Sequence, residues 1–134
     1  MGNKAYIVGG TLTAVLIIVA VLMVRGPGEV QLTEADNGST IELKSGQALS
    51  ITLEANPTTG YTWEVVESPD EQVMRQVGKI EFKPESEAIG AGGVQIIRFE
   101  VVNAGQTNLT LIYHRPWETD VEPLKTFSLH VIAR

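Results

Sequence analysis

Residues 49–65 of the chain read LSITLEANPTTGYTWEV, two runs of alternating polarity joined by a segment rich in Pro, Thr and Gly. In Leu49–Ala55, and again in Tyr61–Val65, every second residue is apolar. Successive side chains of a β-strand point to opposite faces, so a period of two indicates a strand with one buried face. The stretch therefore predicts two half-buried strands with a short loop between them.

The same alternation recurs along the chain after residue 25. It is found in Gln95–Val102, Leu109–Tyr113 and Phe127–Val131, and in shorter form in Glu29–Leu32, Thr40–Leu43 and Lys79–Phe82. Gly, Pro, Asn and Asp are concentrated in the connections, as expected for turns. Only Pro69–Val77 favours one or two helical turns, because Ser68 and Glu71 have the spacing of a capping box. We therefore expect an all-β fold, an antiparallel β-sandwich of about 7–8 strands.

The N-terminal stretch differs in composition from the rest of the chain. Residues 5–24 carry no charge and are dense in Val, Ile, Leu and Ala. At about 1.5 Å per residue, a helix of this length spans about 30 Å, the thickness of the hydrocarbon core of a bilayer. Lys4 and the N-terminal amine precede the run, whereas Arg25 and then acidic residues such as Glu29 and Glu34 follow it. This asymmetry favours a cytoplasmic N-terminus and an exported C-terminal part.

Two outcomes for this hydrophobic helix remain open. As a membrane anchor, it would hold a single-pass protein with its C-terminal domain outside the cytoplasm. As a cleaved signal, it would release a secreted or periplasmic domain, although it exceeds the roughly 7–15 apolar residues of a signal peptide and lacks an A-x-A-like cleavage site. We therefore divide the chain into residues 1–25, an N-terminal membrane anchor or signal segment, and residues 26–134, an exported β-domain.

Composition excludes several classes of function. The absence of cysteine rules out a disulfide framework, a cysteine-ligated metal site and a thiol enzyme. Sixteen Asp and Glu residues against ten Lys and Arg residues give a net charge of −6, and because Lys4 and Arg25 lie outside the β-domain, its own net charge is −8. Such an acidic domain is not expected to bind nucleic acid, since phosphate contacts need a positive surface. His114 and His130 lie in predicted strands and in no catalytic or metal-binding motif, so we expect no enzyme, no metal and no other cofactor.

Three segments interrupt the alternation in ways that a simple turn does not require. In Asn56-Pro57-Thr58-Thr59-Gly60-Tyr61, the proline fixes its φ, the threonines are stiff at χ1 and the glycine permits a positive φ. Gly90-Ala91-Gly92-Gly93 suits the close approach of another backbone, and no helix follows it to make a phosphate site. In Arg115-Pro116-Trp117 the tryptophan lies in a polar loop, and exposed Trp and Arg are enriched at binding hot spots. Taken singly, each segment also fits a plainer structure: an ordinary inter-strand connection, a mobile hairpin tip, and a tryptophan folded over the edge of the sandwich.

Together, and in this order, the three segments resemble the chagasin family of cysteine protease inhibitors. The resemblance spans about residues 28–134 and includes the spacing between the segments. It implies an immunoglobulin-like β-sandwich that presents three loops at one end. It also implies reversible, tight-binding, competitive inhibition of papain-like (clan CA) cysteine proteases, whose active-site cleft those loops block. Tyr61 stands where phenylalanine is also common in the family.

The resemblance further implies a role for each segment. The Asn56–Gly60 loop enters the protease cleft, with Thr58 nearest to the catalytic cysteine and histidine of the protease. The Gly90–Gly93 segment pairs along the non-primed side of the cleft. The Arg115–Trp117 segment places its tryptophan on the primed side, against aromatic residues of the enzyme.

The alternative is a membrane-anchored immunoglobulin-like binding or adhesion module without inhibitory activity, because a fold alone does not determine function. Nothing in the sequence indicates oligomerisation, so we expect a monomeric β-domain whose partner is a papain-like protease. Residues 5–24 would contact the membrane if they are not cleaved. The identity of the protease, its inhibition constant and the glycosylation of the sequons at Asn37 and Asn108 stay open.

Overall fold

The computed structural model describes residues 28–134. These residues form nine β-strands and two short 3-10 turns, and they contain no α-helix. The strands are β1 (Glu29–Thr33), β2 (Ser39–Leu43), β3 (Ala48–Ala55), β4 (Thr62–Glu67), β5 (Met74–Gln76), β6 (Glu81–Pro84), β7 (Gly93–Val101), β8 (Gly105–His114) and β9 (Lys125–Ala133). The turns are Glu34–Asp36, which follows β1, and Pro57–Thr59, which follows β3. The all-β prediction is confirmed for these residues.

The strands belong to two sheets that share one hydrophobic core. The first sheet has the strand order β2-β9-β8-β4. The second has the order β1-β3-β7-β5, and β6 also pairs with β7, beyond the end of β5. Apolar residues of both sheets face inward, so the domain is a β-sandwich, as the alternation predicted.

The prediction of a purely antiparallel sandwich is wrong, because each sheet contains one parallel pair. β1 runs parallel to β3, with Glu29 beside Ala48, and β2 runs parallel to β9, with Ile41 beside Val131. The Glu34–Asp36 turn carries the chain from one sheet to the other between β1 and β2. Each of these strands therefore joins the edge of a sheet beside a strand that comes later in the chain. Alternating polarity shows which face of a strand is buried, and it does not show which way the neighbouring strand runs.

The expected helical turns over Pro69–Val77 reduce to one turn, which begins at Asp70 and not at Ser68. The carbonyl oxygen of Asp70 accepts hydrogen bonds from the backbone N–H groups of Val73 and Met74, both at 2.9 Å. Met74 then pairs with Val101 as the first residue of β5, and its side chain is fully buried. The burial of Met74 in the core ends the helical conformation after one turn.

The core consists of side chains that alternate along the long strands. The largest fully buried side chains are Phe99, Phe127, Leu32, Ile41, Leu43, Leu49, Ile51, Leu53, Met74, Ile97, Leu109 and Leu111. Burying one such side chain is worth about 1.5–3 kcal/mol relative to leaving it exposed. Trp63 closes one end of this core, and its indole N–H donates to the carbonyl oxygen of Glu54 at 2.9 Å. The last residues of β3 and the first of β4 are thereby tied together where their connecting loop leaves the sandwich.

The predicted N-terminal hydrophobic helix lies outside the described residues. Within residues 28–134, no helix has the length and the apolar character needed to cross a bilayer.

Candidate functional site

The three sequence segments meet at one end of the sandwich. We name the connections that carry them the NPTTG loop (residues 56–60), the glycine loop (residues 85–92, so that Gly93 of the segment already belongs to β7) and the tryptophan loop (residues 115–124). The side-chain amide of Asn56 donates to the carbonyl oxygen of Gly90 at 3.3 Å, which links the first two loops. The Nε–H of Arg115 donates to the carbonyl oxygen of Thr59 at 3.0 Å, which links the third loop to the first. The NPTTG loop therefore lies between the other two and is bonded to both.

The NPTTG loop is closed by its own hydrogen bonds. Asn56 Oδ1 accepts from the backbone N–H of Thr58 at 3.1 Å and from the Thr58 hydroxyl at 2.6 Å. The Thr59 hydroxyl donates to the carbonyl oxygen of Asn56 at 2.6 Å. Gly60 ends the turn with φ 86°, and its N–H donates to the carbonyl oxygen of Pro57 at 3.0 Å. Pro57, Thr58 and Thr59 are all exposed, so the loop is both rigid and projecting.

Trp117 rests on the NPTTG loop. Its side chain is 67% exposed, yet the six-membered ring of the indole occupies the space into which a Cβ on Gly60 would project. A Cβ built there would lie 3.1 Å from Cζ2 of Trp117 and would overlap Cη2. The tryptophan is thus not folded over the edge of the sandwich, and most of its surface faces solvent beside the Pro57–Thr59 turn.

Arg115 fixes the base of the tryptophan loop. Its guanidinium carbon lies 4.5 Å from the centroid of the Tyr61 ring, a cation–π geometry. Nη1 also lies 3.4 Å from Oε2 of Glu118, three residues further along the loop. The planar guanidinium therefore bonds the NPTTG loop, stacks on Tyr61 and pairs within its own loop at the same time.

The glycines of the second segment serve different purposes. Gly90 has φ 82° and open space around it, and a Cβ on Gly92 would lie in ordinary contact with the Ala55 carbonyl oxygen at 3.5 Å. A Cβ on Gly93, however, would overlap the carbonyl oxygen of Lys83, because β6 and β7 pair closely there. The close approach that requires Gly93 is therefore an approach of the domain's own backbone. Gly90, Ala91 and Gly92 are at least partly exposed, although the carbonyl oxygens of Gly90 and Gly92 already accept hydrogen bonds, from the side chain of Asn56 and from the N–H of Glu85.

Sequence reasoning missed two residues at this end of the molecule. Ile89 lies in the glycine loop and is fully exposed, at 104% of its reference area. Its signal in the sequence is an isolated β-branched apolar residue among charged and small residues, directly before Gly90. The alternation places Tyr113 on a buried strand face, and no sequence pattern reveals that its hydroxyl accepts the backbone N–H of Asn56 at 2.8 Å.

The two histidines have polar partners within the domain. His114 Nε2 lies 2.7 Å from Oε1 of Glu64, and His130 Nδ1 lies 2.6 Å from Oδ1 of Asn108. In the part of the chain that the structure describes, no group of His, Cys, Asp and Glu side chains could hold a metal ion.

Comparison with known proteins assigns the family. The family model described as "Chagasin family peptidase inhibitor I42" matches residues 42–131, a range that contains all three loops. The chain belongs to the chagasin family. Chagasin-family members are inhibitors of peptidases and not enzymes, so the resemblance inferred from the three segments is confirmed.

Relatives in the chagasin family cover nearly the whole described domain. Chagasin of Trypanosoma cruzi is 34% identical over 107 residues, which are 77% of this chain and 96% of that protein. Amoebiasin-1 of Entamoeba histolytica is 34% identical over 102 residues, 76% of this chain and 97% of that protein. The crystal structure of the cysteine protease inhibitor EhICP2 from Entamoeba histolytica superposes with a TM-score of 0.70 at 25% identity, covering 82% of this chain and 99% of that one. Residues 28–134 thus have a chagasin-like fold.

Proposed function

We propose that this protein inhibits papain-like cysteine proteases reversibly and competitively, by placing the NPTTG, glycine and tryptophan loops in and beside the active-site cleft. The observation that carries the proposal is that the three loops are bonded to one another before any partner is present. Asn56 bonds Gly90, Arg115 bonds Thr59, and Trp117 packs on Gly60. Family membership does not favour the alternative of an adhesion module without inhibitory activity.

Preorganisation supports tight binding. A stable protein interface buries about 1,600 Å² in total, and each side chain immobilised on binding costs about 0.5–1.5 kcal/mol. In the NPTTG loop, both threonine hydroxyls are already hydrogen-bonded within the loop, so they lose little further freedom when a partner binds. Because the loops are already ordered, binding loses less conformational entropy, and the affinity for the protease is higher.

The same rigidity supports inhibition over cleavage. The Pro57–Thr59 segment is a 3-10 turn, and Gly60 follows in the left-handed conformation. To be cut, this segment would have to unfold into an extended chain and lose the hydrogen bonds from Thr58 and Thr59 to Asn56. A loop that stays closed occupies the cleft without being consumed.

Each loop takes a distinct place in the proposed complex. Thr58, at the exposed tip of the NPTTG loop, faces the catalytic cysteine and histidine of the protease. Gly90 and Gly92 lie along the non-primed side, where Ile89 offers a fully exposed apolar side chain to a hydrophobic depression. Trp117 packs on the primed side, on an apolar surface of the enzyme.

The test is a titration of papain with the full chain, solubilised in a mild non-ionic detergent, while hydrolysis of a fluorogenic peptide is followed. We expect competitive inhibition at nanomolar concentration, with the inhibitor recovered intact. No inhibition at micromolar concentration of folded protein would contradict the proposal and would favour the adhesion module.

We further propose that the domain acts as a monomer outside the cytoplasm, either held at a membrane by residues 5–24 or released after cleavage. The support is the uncharged length of that segment and the greater positive charge before it, from Lys4 and the N-terminal amine, than after it, where Arg25 is followed by acidic residues. Alkaline extraction of membranes from the producing cell separates the two forms, since an anchored chain stays in the pellet. A chain found only in the cytoplasm would contradict both.

A further inference from the structure

Tyr113 lies directly beneath the NPTTG loop, near the end of β8. Its side chain is buried, with 6% of its surface exposed. The ring is stacked on Tyr61, with centroids 5.3 Å apart, and tilted against Trp63 at 5.1 Å. These contacts hold the hydroxyl in one place, where it accepts the backbone N–H of Asn56 at 2.8 Å.

The backbone N–H of Asn56 has no partner in the sheet. The β3–β7 ladder ends where Ala55 pairs with Gly93, so Asn56 is the first residue after the last pair. A backbone N–H in a half-buried position needs a partner, because an unsatisfied donor retains the full cost of its desolvation. The Tyr113 hydroxyl supplies that partner in place of a strand.

Asn56 in turn determines the position of the residues around it. Its side chain accepts both the N–H and the hydroxyl of Thr58 and donates to the carbonyl oxygen of Gly90. A displacement of the Asn56 backbone would therefore move the tip of the NPTTG loop and loosen its link to the glycine loop.

We propose that Tyr113 is a positioning residue for inhibition: its hydroxyl fixes Asn56, and through Asn56 it fixes Thr58 in the orientation that fits the protease cleft. Tyr113 does not itself reach the protease, since it is buried. The inference rests on the proposed function and adds a determinant of affinity that lies outside the three loops.

Tyr113→Phe tests the hydroxyl alone, because the phenylalanine ring keeps the contacts with Tyr61 and Trp63. A matched control is Thr107→Val, on the same strand. The Thr107 hydroxyl also accepts a backbone N–H, that of Asp70 at 2.6 Å, and Thr107 is 8% exposed. Thr107 precedes Tyr113 by six positions, so at about 3.4 Å per residue it lies roughly 20 Å away, near the opposite end of β8.

We expect both variants to lower the melting temperature, and only Tyr113→Phe to change inhibition of papain. Loss of one hydrogen bond that orders the inserted loop should raise the inhibition constant about tenfold, mainly through faster dissociation. Slow cleavage within residues 56–60, detected by mass spectrometry of the recovered inhibitor, should accompany it. If Tyr113→Phe inhibits as tightly as the parent and stays uncut, Tyr113 has a structural role only and the proposal is overturned.

Amide hydrogen exchange in the unmodified protein gives a test that needs neither a variant nor a protease. We expect the N–H groups of Asn56 and Thr58 to exchange much more slowly than those of exposed loop residues such as Glu87 and Thr119. Exchange of Asn56 at the rate of those residues would overturn the proposal even if papain is inhibited. Protected exchange in a protein that does not inhibit papain would instead contradict the proposed function, and the contact between Tyr113 and Asn56 would stand.

Discussion

The indole of Trp117 fills the space beside Gly60 that the side chain of any other residue would take. Gly60 also has φ 86°, a conformation that residues with a Cβ rarely adopt. One glycine therefore both closes the turn that precedes it and provides the surface on which the tryptophan rests. Two of the segments recognised in the sequence depend on each other through this contact.

Gly60→Ala should lower the stability of the domain and, in addition, raise the inhibition constant. The positive φ costs an alanine about 1–2 kcal/mol, and the new methyl group must also displace Trp117. Gly78→Ala is the matched control, since Gly78 has φ 72° and nothing within 4 Å of its Cβ position. We expect comparable losses of stability in urea unfolding and a raised inhibition constant for Gly60→Ala alone. Equal inhibition by the two variants would show that the position of Trp117 does not matter.

Trp117→Ala should leave the melting temperature nearly unchanged, because 67% of the side chain is already exposed. Truncation of a hot-spot tryptophan costs about 2 kcal/mol of binding or more, so the inhibition constant should rise by roughly 30-fold or more. Val66→Ala serves as the control, because Val66 is 54% exposed and lies on β4, outside the three loops. An effect of Val66→Ala as large as that of Trp117→Ala would refute a specific contact.

Ile89→Ser should raise the inhibition constant about tenfold, because an apolar side chain that becomes buried in the complex contributes strongly to an interface. It should not measurably change stability, because the Ile89 side chain is fully exposed in the free domain and contributes nothing to the core. Kinetic titration of papain with the variant measures the first effect, and thermal unfolding the second. Val77→Ser supplies the comparison, because Val77 is 46% exposed and belongs to none of the loops. Unaltered inhibition by Ile89→Ser would place the isoleucine outside the interface.

Arg115→Lys should weaken inhibition although it keeps the charge. Lysine cannot reproduce the planar stacking on Tyr61 together with the directed hydrogen bond to Thr59. The ion pair with Glu118 is long, at 3.4 Å, and still partly exposed to solvent, so we expect Glu118→Gln to have the smaller effect, which separates that contact from the others. The measurement is the dissociation rate of the complex with papain. A larger increase in the dissociation rate for Glu118→Gln than for Arg115→Lys would contradict the importance of the contacts of Arg115 with Tyr61 and Thr59.

The buried faces of the strands could be predicted from the sequence, because burial follows the alternation of polarity. Leu109, Leu111 and Tyr113 of β8, for example, all face the core. The parallel pairing of β1 with β3, and of β2 with β9, could not be predicted, since the direction of a neighbouring strand leaves no trace in that alternation. The structure has only one of the helical turns expected after Ser68, because Met74 is buried in the core as part of a strand. The capping residues at the start of the segment carry no information about that burial.

The members of the site could be predicted from three short motifs, but the contacts between them could not. Arg115 and Thr59 are 56 residues apart, and Asn56 and Tyr113 are 57 residues apart. Such pairs depend on which strands lie side by side in the folded domain, so local propensity carries no record of them. The internal role of Gly93 escaped prediction for the same reason, because it depends on the approach of β6.

The parallel pairing of β1 with β3 places the start of the described chain at the end of the sandwich opposite to the three loops. Because the two strands run the same way, Glu29 lies beside Ala48, at the start of β3, whereas the NPTTG loop follows Ala55 at its far end. At about 3.3 Å per residue, the length of β3 separates the point where the chain enters the sandwich from the three loops by roughly 25 Å. If the proposed membrane anchoring holds, the three loops would therefore lie at the end of the domain farthest from the residue where the described chain begins, and a protease could approach them there.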